Sequence, residues 1–229
     1  MDYIVQGFEE AIKLLLSFDR EIYGIIFLTL FVTIMSTFIA TLIGVPLGLL
    51  IGIKKFRFKR IIIRFLYTFM SMPPVIAGLF VYLMLARRGP LGQLELLFTP
   101  TAMIIAQVFL VAPIIMGITY NSTREKGPII KQVAHTLGAD KGQALKLLLF
   151  EQKSDIMAAI VSGFGRAISE VGAVMLVGGN IKGHTRVMTT SIAMLQSMGE
   201  TAQAIAIGLV LLALAFIINS ILYHVQKVV

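Results

Sequence analysis

The sequence predicts an all-α membrane protein with about five transmembrane helices. Of its 229 residues 57% are hydrophobic and only 14% charged, and the mean hydropathy is +0.89, a profile outside that of ordinary soluble domains. Five apolar runs reach the roughly 18–20 residues that a helix needs to cross a hydrocarbon core about 30 Å thick. Spans of these lengths fit helices alone, since a membrane strand is about half as long.

Residues 1–21 begin acidic rather than basic and lack a small-residue cleavage site, so they are not a signal peptide. Phe8, Ile12 and Leu15 share one side of an amphipathic helix expected to lie on the membrane surface. The first span, residues 22–53, would reach about 48 Å as one straight helix, so it tilts or extends beyond the bilayer. Its Gly44, Gly48 and Gly52 form a stripe of small residues suited to close packing by another helix.

The second span, residues 61–86, is interrupted by Pro73 and Pro74. Broken backbone is tolerated in a membrane where protein or a wet cavity receives the freed carbonyls, so the break is read as cavity-lining, with a packing kink as the alternative.

The third span covers residues 100–120, and the segment 121–155 that follows is too long for a simple connection. Its pattern predicts two short helices. Pro128 suits the first turn of one, Ile129, Ile130, Val133 and Leu137 repeat along it, and Gly138 ends it. Asp140 with Gln143 opens the other, whose apolar side is Leu145, Leu148 and Leu149. A docking surface and a structural cap both fit this pair.

The fourth span, residues 156–178, carries Arg166 and Glu170 four apart on one helix face, where they are expected to pair. A structural clamp is favoured over direct contact with a bound anion. Ser169, Gly172 and Ala173 either let helices approach closely or line a narrow anion path with hydroxyl and backbone dipoles. The fifth span covers residues 201–225, and residues 22–226 read as a single helical domain without repeats or linkers.

Charge orients the chain. With the run Lys54, Lys55, Arg57, Lys59, Arg60 placed inside, twelve basic residues fall inside, Lys227 among them, and six outside, which puts the N-terminus out and the C-terminus in. The net charge of +8 therefore reports membrane orientation; no basic surface interleaved with aromatics points to nucleic acid. Arg64 and Arg166 lie within spans, while Arg87, Arg88, Lys182 and Arg186 sit outside against the trend and suit attraction of an anion or docking of an acidic partner. The stretch from Gly178 to Thr185 mimics a phosphate-binding loop, but His184 replaces the lysine and no strand precedes it. Cysteine is absent, and no metal-ligand spacing or nucleophile motif suggests catalysis or a metal site.

The segment from Gln132 to Gln152 resembles, in part, the cytoplasmic signature of ABC importer permeases: Ala134 and Gly138 align, whereas Gln132, Val133, Leu148, Phe150 and Glu151 depart from it. MPPVIAG (Met72 to Gly78), RRGPLG (Arg87 to Gly92) and GRAISEVGAVMLVGGNIKGHTR (Gly165 to Arg186) are similar, in the same order, to segments of the molybdate and tungstate permeases, with the tungstate branch nearest. What this resemblance implies is a type I ABC importer permease fold and a homodimer of permeases. It also implies two ABC ATPase subunits that use ATP and Mg, and an extracytoplasmic oxyanion-binding protein; this chain itself binds no cofactor. ATPase coupling is expected at Gln132, Ala134, Leu137, Gly138, Ala139, Asp140 and Leu145, and the translocation path at Pro73, Pro74, Ser169 and Gly172. Tungstate is the expected cargo, with molybdate, sulfate or another solute as the alternative within the class. An ATP-independent carrier or channel is the alternative outside it, for which an acidic relay or inverted repeat would be expected.

Overall fold

The computed structural model describes residues 2–16 and 19–228; the side chains of residues 2–4, 15, 225, 227 and 228 fall outside that description. Ten α-helices account for the described spans: α1 (Asp2–Leu16), α2 (Arg20–Ile53), α3 (Lys59–Met70), α4 (Pro74–Leu85), α5 (Pro100–Thr136), α6 (Lys141–Glu151), α7 (Lys153–Ile168), α8 (Gly172–Gly178), α9 (Met188–Met198) and α10 (Thr201–Val228). Of these, α2, α5 and α10 are each long and apolar enough to cross a membrane alone. The pairs α3–α4 and α7–α8 would bring the number of spans to five, but they bend by 103° and 57°.

Asp19 starts α2 by accepting hydrogen bonds from the Glu21 and Ile22 amides, and the helix continues through Pro46 to Ile53. It lies along α5 because its glycines leave no room for anything else. A Cβ on Gly48 would sit 2.6 Å from the Met116 carbonyl oxygen, and one on Gly52 would sit against Thr123. Lipid tails are as apolar as leucine, so helices in a bilayer associate through such close packing and through hydrogen bonds rather than by expelling water. The buried core repeats this theme with small residues: Ala77, Ala102, Ala106 and Ala173 join α4, α5 and α8, while Ala40, Ala112, Ala159 and Ala167 join α2, α5 and α7.

Several expectations need correction. Helix α5 does not stop at residue 120 but runs unbroken to Thr136, with Pro113 and Pro128 inside it. Pro128 therefore opens no new helix. The fourth span is not continuous, since α7 ends at Ile168 and α8 restarts at Gly172. The connection after residue 178 contains the helix α9, whose Thr189, Thr190 and Ser191 are buried. Its hydroxyl-rich start and short length hid it from a search for apolar spans. Helix α1 does more than lie on a surface, because Gly7 and Ala11 pack it onto α10. Its Val5, Phe8, Ile12 and Leu16 stay exposed along the other side.

Gly48→Ala is expected to lower the stability of the detergent-purified protein by about 1–3 kcal/mol through overpacking. Gly24→Ala, where a Cβ meets nothing within 4 Å, leaves stability unchanged or raised. Thermal unfolding of both variants checks this; equal melting would remove the glycine stripe from the account.

Candidate functional site

Two helix breaks meet inside the membrane-spanning part. The first comprises Ser71, Met72 and Pro73 between α3 and α4; the second comprises Ser169, Glu170 and Val171 between α7 and α8. A Cβ on Gly172 would lie 3.0 Å from Val75, the residue after Pro74, and one on Gly78 would lie 2.6 Å from the Ala173 Cα. Pro73, Pro74, Ser169 and Gly172 are thereby brought into one region, with Pro73 and Ser169 exposed and the other two half-buried.

Glu170 organises this region, and each of its oxygens is engaged. Its Oε2 pairs with Arg166 Nη1 at 2.9 Å, its Oε1 accepts from the Ala173 amide at 2.9 Å, and its carbonyl accepts from Thr189 Oγ1 at 2.9 Å. The carboxylate thus ties the end of α7 to the start of α8, and the backbone carbonyl of the same residue ties both to α9, while the side chain is only 2% exposed. Arg166 and Glu170 do pair, but across a helix end rather than along one helix face.

Beside Glu170, Gln107 occupies the middle of the bundle. Its Oε1 accepts from Ser36 Oγ at 2.6 Å and its Nε2 donates to the Ala167 carbonyl at 3.1 Å, so one amide links α2, α5 and the last turn of α7. A cavity of about 10 Å³, room for one water, lies among Thr29, Thr33, Gln107, Glu170 and Thr189. Gln107 escaped notice in the sequence; the available signal was a lone amide inside an apolar run, where polar groups seldom occur without a partner.

Exposed faces differ from helix to helix. Along α2 the exposed residues are Phe27, Phe31, Ile34, Phe38 and Leu42, and along α10 they are Leu212, Phe216, Ile217 and Ile221, as lipid contact requires. Helix α7 instead exposes Ser154 and Ser162, with Ser169 just past its end and half-buried Ala158, Gly165 and Arg166 on the same side. Such a face suits water or another protein rather than acyl chains.

At the end marked by basic residues, α5 and the start of α7 are stapled together. Asp155 Oδ2 accepts from Ser122 Oγ and Lys126 Nζ, both at 2.6 Å, and Thr123 Oγ1 donates to the buried Gln152 Oε1 at 2.9 Å. The expected joint at Gly138 has φ +74°, with the Ala139 amide bonded back to the buried Ala134 carbonyl at 2.9 Å. Asp140 and Gln143 form the predicted reciprocal cap of α6. Around this turn Gln132 and Asp140 are exposed, Ala139 is half-buried, and Ile129, Val133, Leu137 and Leu145 present apolar side chains to the surroundings.

At the opposite end Glu21 pairs with Lys182 at 2.8 Å and with Arg186 at 3.9 Å, so these two cations are engaged within the chain. Arg87 and Arg88 are exposed and form no ion pair among the described residues. The phosphate-loop mimic follows helix α8 and is closed by its own Thr185, whose Oγ1 accepts from the Ile181 amide and donates to the Gly178 carbonyl.

A polytopic helical bundle with two apposed breaks, a small-residue face and an exposed apolar turn beyond the spans defines a membrane transport component. The profile of the binding-protein-dependent transport system inner membrane component family matches residues 44–229, and the chain belongs to that family. It is 53% identical over 227 residues, 99% of this chain and 100% of the relative, to the tungstate uptake system permease protein of Peptoclostridium acidaminophilum. The tungstate uptake system permease protein of Campylobacter jejuni is 34% identical over 99% of this chain and 95% of its own. A probable anion ABC transporter permease protein of Haloferax volcanii is 36% identical over 75% of this chain and 76% of its own.

Gln107→Leu removes the hydrogen bonds to the Ser36 hydroxyl and the Ala167 carbonyl, which keep local partners in the Thr33 carbonyl and the Glu170 amide, and is expected to cost about 1–3 kcal/mol. Arg166→Ala leaves Glu170 buried without its cation and is expected to cost about 3–5 kcal/mol, most of it recovered when Glu170→Leu is added. Thermal unfolding of the single and double variants reads both effects; additive losses at 166 and 170 would show that the clamp does not couple them.

Proposed function

We propose that this chain is the permease subunit of an ATP-driven ABC importer that carries tungstate inward. The observation that carries this reading is full-length similarity at 53% identity to a tungstate uptake permease, with no large insertion for a different architecture to occupy. The geometry supports it through the apposed breaks at Pro73–Pro74 and Ser169–Gly172, which supply a discontinuity where backbone polarity and small side chains can face a path.

Two copies of the chain pack so that their α7 faces and helix breaks enclose that path. An ABC ATPase subunit, which binds the ATP and Mg, docks on each turn formed by the end of α5 and α6, where Leu137 is 77% exposed. Closure of the ATPases pushes this turn. Because Asp155 and Gln152 staple α5 to the start of α7, the push reaches the Arg166–Glu170 clamp as a rigid-body motion instead of dissipating in a loop. An extracytoplasmic oxyanion-binding protein delivers the dianion at the end carrying Arg87 and Arg88. Binding within the path is weak, since a tight site at mid-membrane would trap the anion, and selectivity resides mainly in the binding protein.

ATP-dependent uptake of labelled tungstate, with molybdate and sulfate as competitors, tests the reading in vesicles holding this chain, its ATPase and its binding protein. Uptake that resists sulfate and requires ATP is the expected result. Transport of an unrelated solute would remove the cargo, and flux without ATP would remove the class. Gly138→Val forces a β-branched residue into a left-handed conformation and is expected to reduce uptake about tenfold or more with the chain still inserted in the membrane. Wild-type uptake by that variant would detach the turn from coupling.

A further inference from the structure

Helix α3 has three faces. At about 100° per residue, Leu66, Met70 and Ile63 lie together, and this side packs on α5, with Met70 filling the space left by Gly117. Ile61, Phe65, Phe69 and Ile62 form a second, exposed apolar side of the kind that lipid covers. Between them an arc of roughly 100° carries Tyr67, Arg60, Ser71, Arg64 and Thr68, all exposed. Tyr67 is held by donating to Asn121 Oδ1 at 2.7 Å, which fixes the rotation of the helix against α5.

We propose that the arc Arg60, Arg64, Thr68 and Ser71 is the inner leg of the anion path, a ladder that receives a tetrahedral oxyanion dianion from the helix breaks and passes it to the inside. The proposal rests on the oxyanion reading given above. Its first support is chemical: neither guanidinium is in an ion pair among the described residues, and the chain holds no acidic residue between Glu21 and Glu95. A dianion on this face meets planar, donor-only groups matched to oxyanion geometry and no carboxylate from its own helix.

The second support is reach. Along the axis Arg64 lies about 7.5 Å from Lys59 and Ser71 about 18 Å, so the arc runs the length of α3 up to the α3–α4 break. Arginines that merely snorkel to lipid headgroups would leave apolar residues further in. Here the polar arc continues inward of Arg64 as Thr68, whose hydroxyl is turned onto the Arg64 carbonyl at 2.9 Å, and then Ser71. The last residue of the arc, Ser71, opens the break that Pro73 closes, so the arc leads into the broken region.

The native chain has no cysteine, so single thiols can be placed on either face. Arg64→Cys, Thr68→Cys and Ser71→Cys, with Phe65→Cys on the lipid side as the comparison, are assembled with the ATPase in inside-out vesicles loaded with binding protein and tungstate, so that uptake is read as ATP-driven release of tungstate to the medium. They are then treated with anionic or cationic water-soluble methanethiosulfonates. The arc thiols are expected to react about tenfold or more faster than Phe65→Cys, and at position 64 the anionic reagent lowers tungstate uptake further while the cationic reagent restores part of it. In parallel, Arg64→Gln lowers uptake about tenfold and Arg64→Lys retains a substantial part of it, with ATP hydrolysis stimulated by the binding protein kept within about twofold as evidence of an assembled transporter. Arc thiols no more reactive than Phe65→Cys would overturn the proposal. So would wild-type uptake by Arg64→Gln, or a loss that disappears in vesicles of uncharged phosphatidylcholine, the signature of a headgroup contact. Tungstate uptake by the unaltered transporter tests the cargo separately, and thiol reactivity tests the arc whatever the cargo is.

Discussion

The contact between α2 and α5 is the constraint on which the other helices depend. Gly44, Gly48 and Gly52 bring the α2 backbone onto Ala112, Met116 and Thr123, so two helices of 34 and 37 residues run together along much of their length. In lipid, where apolar side chains gain little by leaving one apolar surrounding for another, this approach is available only because the Cβ atoms are missing. Helices α3, α4, α7 and α8 then pack on α5, and the position of every polar group in the bundle follows from that axis.

Given a rigid axis, the bundle can accommodate two interrupted helices. Each break removes backbone hydrogen bonds, and a group left orphaned away from water costs several kcal/mol. Side chains compensate. Glu170 takes up the Ala173 amide, Thr189 takes up the Glu170 carbonyl, and Gln107 takes up the Ala167 carbonyl while holding Ser36. These contacts come from α2, α5 and α9, so the broken region is stable only in the assembled bundle. A discontinuity held this way can line a path without unravelling, and it can shift when the supporting helices shift.

The side that carries the basic run is tied to the broken region through α7. Asp155 and Gln152 join the α5 extension to the first turn of α7, and Gly138 allows the chain to reverse sharply into α6. Membership of the binding-protein-dependent transport family accounts for such a unit outside the spans, since these components work with separate subunits. The same staple leads from the exposed apolar turn along α7 to Arg166, whose partner Glu170 lies just past the end of that helix.

Local chemistry made much of this legible in the sequence. Spans follow from apolar length, the break at Pro73–Pro74 from missing amides, the α6 cap from Asp140 and Gln143, and the close helix contact from the glycine stripe, because each depends on residues near one another in the chain. The length of α5, the break after Ile168 and the existence of α9 were not legible. Pro128 carries a local stop signal that the rest of α5 overrides, and the α7–α8 break depends on Glu170 finding partners on other elements. Gln107, Gln152 and Asp155 look unremarkable in sequence, because their partners lie between 29 and 71 residues away. By itself the sequence determined that this is a helical membrane protein and, through the order of its motifs, the transport family it resembles, since span length, charge asymmetry and motif order survive without contacts. Only the tertiary structure decided which polar groups meet, which face lipid and where two breaks become one region, because those depend on helix rotation about a shared axis that no local pattern encodes.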